Sequence, residues 1–398
     1  MSVWDDLVGQ DRVVEQLIAA ARGARALLGR GPGGDASAMT HAWLFTGPPG
    51  SGRSTAARAF AAALQCTSPD GELGGPPGCG YCDGCHTALV GSHADVESVR
   101  TDVLSIGVKE TRELVRRASM SPAGGRWQVI ILEDADRLTE GAANVLLKAV
   151  EEPAPRTVWL LCAPSVEDTL PTIRSRCRLL TLRQPGIDAV ADMLMRRDGI
   201  EPEPAAFAAR AAQGHIGRAR RLATDERARA RREEVLRLPL RVDDLGACLA
   251  GAQRLVDAAA EDAKQAAEEG DAKETEELRA ALGASAGIGG RMPRGTAGAM
   301  KELEDRQKRR ATRTQRDSLD LALTDLAGFY RDVLAVQFGS AGAVASADSA
   351  GVAQVASAST PEATLRRIEA ILACRRALAR NVTPLLAVEA MMTALRAG

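Results

Sequence analysis

The sequence predicts an α/β domain built on a parallel sheet, followed by a region made of helices alone. Three observations point there. Short apolar runs alternate with helix-period patterns as far as Leu182. A glycine-rich loop stands between the first of those runs and a helix. Beyond Gln184-Pro185-Gly186 no segment reads as a strand. Strands that alternate with helices pair in parallel and are covered on both faces.

In chain order, Val8, Val13, Val14, Leu17, Ile18 and Ala21 recur at helical spacing and predict a helix over 8–23. A flexible loop is expected at Gly31 to Gly34. Trp43-Leu44-Phe45-Thr46 reads as a buried strand, and Trp127 to Leu132, Thr157 to Cys162 and Arg178 to Leu182 as three more. Thr139 to Glu152 reads as a helix that opens on the N-cap Thr139 and closes before Pro153. Residues 187–228 suggest a small helical domain and 229–398 a larger one. The larger is interrupted by a biased stretch: an acidic, Ala-rich 257–282, a Gly-rich 283–298, and 301–316 with Lys301, Arg306, Lys308, Arg309, Arg310, Arg313 and Arg316. That stretch reads as a solvated helical protrusion, or as an arm for DNA or a partner. Residues 339–359 read as another Ala/Gly/Ser loop.

The chain has 398 residues, of which 45% are hydrophobic but only 3% aromatic. Packing therefore falls to Ala, Leu and Val, and Ala favours helices because it loses no side-chain entropy there. The 51 Lys and Arg balance 52 Asp and Glu. This excludes a protein that grips nucleic acid by bulk positive charge. No apolar run is long enough to span a membrane and Met1 to Asp6 is no signal peptide, so a cytoplasmic protein with reduced thiols is expected.

Gly47-Pro48-Pro49-Gly50-Ser51-Gly52-Arg53-Ser54-Thr55 follows a strand and opens a helix, the setting of a Walker A phosphate loop. Gly47, Gly50 and Gly52 let backbone N–H groups turn toward a phosphate, the helix N-terminus adds positive charge, and Ser54 stands where a hydroxyl would hold Mg²⁺. The pattern asks for Lys where the chain has Arg53. A planar guanidinium is not a compact ammonium. The strand at 127–132 runs into Glu133-Asp134 where a P-loop ATPase usually carries Asp then Glu. Each carboxylate is displaced by a methylene, and shifts of ~1 Å can cost about a hundredfold in rate. Both departures point to weak or absent hydrolysis, with ATP/Mg²⁺ binding left open.

Cys66, Cys79, Cys82 and Cys85, set among glycines, suit a closed tetrahedral Zn²⁺ site with a structural role. Disulfides, an iron–sulfur cluster, and His86 or His93 as substitute ligands are alternatives. Cys162, Cys177, Cys248 and Cys374 read as small core residues. Arg174, Arg176 and Arg178 precede or open the last strand, at the edge of the sheet away from the phosphate loop. By spacing alone they are solvated charges, or one of them serves a neighbour's nucleotide in trans.

Together these motifs resemble the clamp-loader family of AAA+ proteins, in particular the gamma/tau and delta-prime subunits of bacterial DNA polymerase III. The cysteine cluster after the P-loop helix resembles theirs. Val8-Gly9-Gln10 resembles the family's N-terminal adenine-contacting motif, and Asn144 to Pro153 the helix after Walker B. Ser175-Arg176-Cys177 matches the S-R-C motif, whose Arg is the trans-acting finger, and Gly217-Arg218 is loosely similar to the second sensor. The resemblance covers about 1–225. It implies a RecA-like P-loop domain at 1–184 with a zinc insertion near 66–85, a helical lid at 185–228, and an all-α collar at 229–398 carrying the charged insertion near 257–316. It further implies a five-subunit ring with gamma/tau and delta, acting on the sliding clamp and primed DNA as part of a DNA polymerase (nucleotidyltransferase) holoenzyme. Arg53 and Glu133-Asp134 favour the delta-prime role, a finger donor with a degenerate site. The alternatives are an active gamma/tau-like ATPase and a zinc-dependent interaction module outside replication.

Overall fold

A computed structural model describes residues 2–29, 35–69, 75–101, 105–242, 244–281, 297–340 and 349–397. The loop expected at Gly31 to Gly34 and nearly all of 283–298 lie outside the described residues. The chain divides into two compact units, Met1–Ala223 and Thr224–Gly398.

The first unit runs α1 (Asp11–Leu27), β1 (Ala42–Thr46), α2 (Arg53–Gln65), α3 (Asp83–Val90), β2 (Val96–Val99), α4 (Val108–Ala118), β3 (Gln128–Leu132), α5 (Glu140–Glu151), β4 (Thr157–Ala163), α6 (Pro171–Arg174), β5 (Arg178–Thr181), α7 (Ile187–Asp198), α8 (Pro202–Ala211) and α9 (Ile216–Thr224). The sheet has the order β2-β3-β4-β1-β5. Every pairing is parallel. Its three inner strands, β1, β3 and β4, are buried along their whole length. Successive strand residues point to opposite faces. Trp43, Phe45, Val129, Ile131, Val158 and Leu160 join α1 and α2 in one core. Leu44, Ile130, Leu132, Trp159 and Leu161 join α4 and α5 in the other. The few aromatics sit at the centre: Trp43 meets Phe60 edge to face at 5.2 Å. As expected, Thr139 caps α5, its hydroxyl accepting the Ala142 N–H at 3.3 Å.

Four strands were expected, and the described residues form five. The missed strand, β2, is a short edge strand of sequence Val-Glu-Ser-Val, and only Val96 is fully buried. An edge strand with one wet face lacks the continuous apolar run by which its inner neighbours are recognised. In the helices after the sheet, Val190, Leu194, Ala205, Ala208 and Ala209 are buried. Arg220 Nε donates to Asp198 at 2.8 Å, tying the end of α7 to α9.

The second unit comprises α10 (Glu226–Arg237), α11 (Leu245–Ala281), α12 (Ala297–Gln337), α13 (Ser349–Ala358), α14 (Pro361–Ala379) and α15 (Pro384–Ala397). Its core gathers Leu255, Leu319, Leu323, Phe329, Tyr330, Ile371, Val388 and Met391. The described parts of the charged stretch are helical. Residues 257–281 continue the 37-residue α11, and 301–316 lie inside the 41-residue α12. Opposite charges join the two helices: Arg310 Nη1 donates to Glu274 at 3.0 Å. Part of the loop expected at 339–359 is helical, because α13 occupies 349–358 and buries Val352 in the core, while 341–348 lie outside the described residues. Among the described residues no helix is long and apolar enough to cross a membrane.

Candidate functional site

The phosphate loop leaves the C-terminal end of β1 and turns directly into α2. Gly50 and Gly52 take φ of 84° and 91°, the left-handed region that only glycine enters cheaply. Gly50 has a second constraint. A Cβ there would lie 2.4 Å from the ring of His215, so this ring closes over the loop. Burial, aided by the charges of Arg218 and Arg53, holds the His215 imidazole below its ordinary value. Arg218, in the first turn of α9, donates its backbone N–H to His215 Nδ1 at 3.3 Å. Arg53 folds back on its own loop: its Nη1 donates to Gly47 O at 2.7 Å. Thr55 is exposed.

The Val8-Gly9-Gln10 segment reaches the loop through Gln10. Val8 is half-buried and Gly9 exposed, but Gln10 is 4% exposed. Its Nε2 donates to Ser51 O at 3.2 Å and to Arg183 O at 2.6 Å, and its Oε1 accepts from the Arg183 N–H at 3.2 Å. The amide thus rivets the phosphate loop to the segment leaving β5.

Glu133 and Asp134 follow β3, beside the start of α2. Glu133 Oε1 accepts from Arg58 Nη2 at 2.7 Å and from Ser98 Oγ at 3.2 Å. Burial works against this carboxylate, but Arg58, the Ser54 hydroxyl and Ser98 outweigh it and hold the group below its ordinary value. Asp134 accepts the Thr101 N–H at 3.1 Å. The first acidic side chain is therefore engaged by a guanidinium of the same chain. Arg58 was not singled out from sequence. Its signal was its place one helical turn after Ser54, on the same side of α2.

The cysteines converge. The four Sγ atoms of Cys66, Cys79, Cys82 and Cys85 lie within 4.8 Å of one another. Cys66 to Cys79 and Cys79 to Cys85 are each 3.9 Å, and Cys82 to Cys66 is 4.0 Å. Four thiolates at ~2.3 Å from a tetrahedral metal stand roughly 3.8 Å apart, so the cluster could hold one ion with no ligand moving far. Backbone N–H groups of Thr67 and Cys85 already point at Cys82 Sγ, each at 3.4 Å. A hydrogen bond from Cys85 lowers the Cys66 thiol below its ordinary value. Burial opposes the Cys82 thiolate, yet hydrogen bonds from Thr67 and Cys85 bring it to about 7. His86 and His93 stay outside the cluster: His86 is exposed, and His93 Nδ1 accepts the Asp95 N–H at 3.0 Å. Of the other cysteines, Cys162, Cys248 and Cys374 are buried and Cys177 is half-buried.

Arg176 lies just before β5. In the register Trp43 stands beside Arg178 and Thr46 beside Thr181. The phosphate loop leaves the opposite end of β1, about 13 Å further along the strand. The Arg176 guanidinium is exposed, forms an ion pair with Glu151, and donates from Nη1 to Thr172 O at 2.8 Å. Its two neighbours differ: Arg178 covers the Trp43 ring at 5.2 Å, while Arg174 closes the short helix α6.

A parallel sheet with its phosphate loop between β1 and α2, acids after β3 and a helical segment following β5 defines a P-loop protein of the AAA+ class. Comparison with known proteins narrows this. Residues 35–186 match the family described as DNA polymerase III, delta subunit. A DNA polymerase III subunit gamma/tau from Mycobacterium tuberculosis (strain ATCC 25618 / H37Rv) is 34% identical over 217 residues, 50% of this chain and 35% of the relative. DNA polymerase III subunit delta' from Pseudomonas aeruginosa is 35% identical over 167 residues, 42% of this chain and 50% of the relative. The Escherichia coli (strain K12) subunit delta' is 32% identical over 181 residues, 45% and 53% of the two chains. Over this segment the chain is similar to the DNA polymerase III subunits of that family. It spans about half or less of the length of these curated relatives. A solved gamma-subunit-related protein from Thermotoga maritima is 15% identical, with a TM-score of 0.41, and covers 89% of this chain and 93% of its own.

Proposed function

We propose that this protein is a clamp-loader subunit of DNA polymerase III that lends Arg176 to a neighbour's nucleotide while its own site turns over slowly or not at all. The observation that carries the reading is the position of Arg176, exposed at the sheet end opposite its own phosphate loop. From there it serves a bound phosphate only across a subunit boundary. Its present partner is weak competition: exposed ion pairs are worth about 0–1 kcal/mol, so a phosphate arriving from a neighbour displaces Glu151 at little cost. The degenerate site is supported by Arg53 turned onto Gly47 O and by Glu133 engaged with Arg58. Zn²⁺ is the metal that four thiolates with these spacings favour, and a four-thiolate site leaves no open position for catalysis. ATP with Mg²⁺ is the nucleotide form the loop would take.

In this reading 1–184 is the AAA+ domain, 185–228 its lid and 229–398 the collar of a five-membered ring with gamma/tau and delta subunits, acting in the cytoplasm on the sliding clamp and primed DNA. The similarity to gamma/tau subunits supports a second reading, an active ATPase of the same loader. Purification of the tagged chain from its own cells tests the assignment. Recovery of the loader subunits with it is expected. Recovery without any replication protein would favour an interaction module outside replication instead.

A further inference from the structure

The phosphate loop and the cysteine cluster are joined by three separate struts. The first is α2, which begins at the loop and ends at Cys66, its C-cap, about 20 Å away. The second is α1. Gln10, at its N-terminus, holds Ser51 O, and Arg25, about 22 Å along, is buried and donates from Nη2 to Cys66 O at 3.2 Å and to Ser68 O. The third is the N-terminal strap. The Val3 N–H donates to Gly78 O at 2.9 Å, and Trp4 Nε1 donates to Pro77 O at 2.9 Å. Two turns then lead to Gln10: Leu7 N–H to Trp4 O at 3.0 Å, and Gln10 N–H to Leu7 O at 3.3 Å.

The contact between strap and cysteine loop is close. Gly78 has φ 104°, and a Cβ there would lie 2.5 Å from Val3 Cγ2 and 3.2 Å from Trp4 Nε1. Between their ends the struts are packed solid. Val3, Trp4, Leu7, Leu17, Ala20, Ala24, Phe60 and three of the cysteines belong to one buried cluster. Asp6 adds a link from the strap to Arg197 on α7, at 2.5 Å.

We infer that the metal-loaded cysteine knuckle is a remote positioning element for the phosphate loop, acting through Trp4, Arg25 and Gln10. The inference rests on the zinc reading of the cluster. A knuckle that is folded fixes Pro77, Gly78 and Cys66, and these fix the far ends of all three struts. When the ion leaves, nothing ties the four cysteines to one another, and the loop 75–85 loses the bonds that fix its shape. Gln10 then loses its anchorage, and the left-handed turn at Gly50 and Gly52 loses its brace. Gln10 and Trp4 are positioning residues, since neither has to touch a nucleotide for this to hold.

Hydrogen exchange on the full chain tests the coupling, with zinc content measured on the same samples. Two variants are compared with the wild type. Cys82→Ser removes the half-buried ligand, and Trp4→Phe keeps an aromatic ring but loses the bond to Pro77 O. Both should raise exchange across 47–52 about fivefold or more, as loss of a net hydrogen bond does. Strands β3 and β4 should stay protected, and Trp4→Phe should retain its zinc. Wild-type exchange across 47–52 in Trp4→Phe overturns the inference, as does wild-type exchange in a Cys82→Ser protein that has lost its zinc. If Cys82→Ser also exposes β3 and β4, the Trp4→Phe result alone decides. A wild-type chain free of zinc would refute the zinc reading, and Trp4→Phe would then still measure the strap.

Discussion

Replacing Gln10 with Met keeps the length of the side chain and removes all three of its hydrogen bonds. The consequences differ at the two ends. Arg183 is exposed, so its N–H and C=O regain partners from water. Ser51 is 1% exposed, and its carbonyl has no such recourse. One stranded buried acceptor costs about 1–3 kcal/mol, and the two bonds recovered by water add little net. The expected loss is therefore about 2 kcal/mol. For a unit of this size, Met1–Ala223, 1 kcal/mol corresponds to roughly 2–4 °C in melting temperature, so the midpoint should fall by about 4–8 °C. Trp4, Trp43, Trp127 and Trp159 are all four of the chain's tryptophans and all lie in this unit. Their fluorescence thus follows its unfolding without interference from the helical unit. A melting temperature within about 1 °C of wild type would show that the rivet contributes nothing, contrary to the argument from burial.

Protein purified without added metal should contain one zinc per chain by elemental analysis, and Cys82→Ser should contain none; equal zinc in both would remove Cys82 from the site. The isolated chain should hydrolyse ATP orders of magnitude more slowly than the typical enzyme median of ~10 s⁻¹, and a rate near that value, lost in Arg53→Ala, would favour the active-ATPase reading. Glu133 should show its partners in acid. Despite opposing burial, Arg58, Ser54 and Ser98 hold its pKa below the ordinary 4.5, so its stabilising effect is complete above that value and is lost as pH falls below it. Urea unfolding should therefore show Glu133→Gln less stable than wild type near neutrality, with the gap closing in acid; a gap unchanged at low pH would mean that the pairing with Arg58 does not stabilise the fold.

The inner strands were legible because burial on both faces leaves a continuous apolar run, as in Val129-Ile130-Ile131-Leu132. The edge strand β2 was not, since Glu97 and Ser98 break that run. The four cysteines could be grouped from spacing because a metal needs its ligands close, whatever the fold around them. The length of α11 and α12 was hidden by composition. Their charged residues pair across the two helices, as Arg310 does with Glu274, and such pairs are invisible until both helices are in place. Gln10, Trp4 and His215 act through contacts between residues remote in sequence, such as Gln10 with Arg183 and Gly50 with His215. Spacing alone carries no trace of these contacts.

The central claim is that Arg176 acts on a neighbour's nucleotide. It is tested most directly by rebuilding the loader with Arg176→Ala in this subunit and measuring DNA-stimulated ATP hydrolysis by the assembled ring. Arg176 is exposed, so the variant should fold, with a stability change within about 0.5 kcal/mol, and assemble normally. Fingers in trans contribute ~10³–10⁵ in rate in GTPase systems, so hydrolysis at the site facing this subunit should fall by a clearly measurable factor, and Glu151→Gln, which frees the guanidinium, should not lower it. Wild-type hydrolysis by a fully assembled Arg176→Ala ring would contradict the account and leave Arg176 a solvated partner of Glu151.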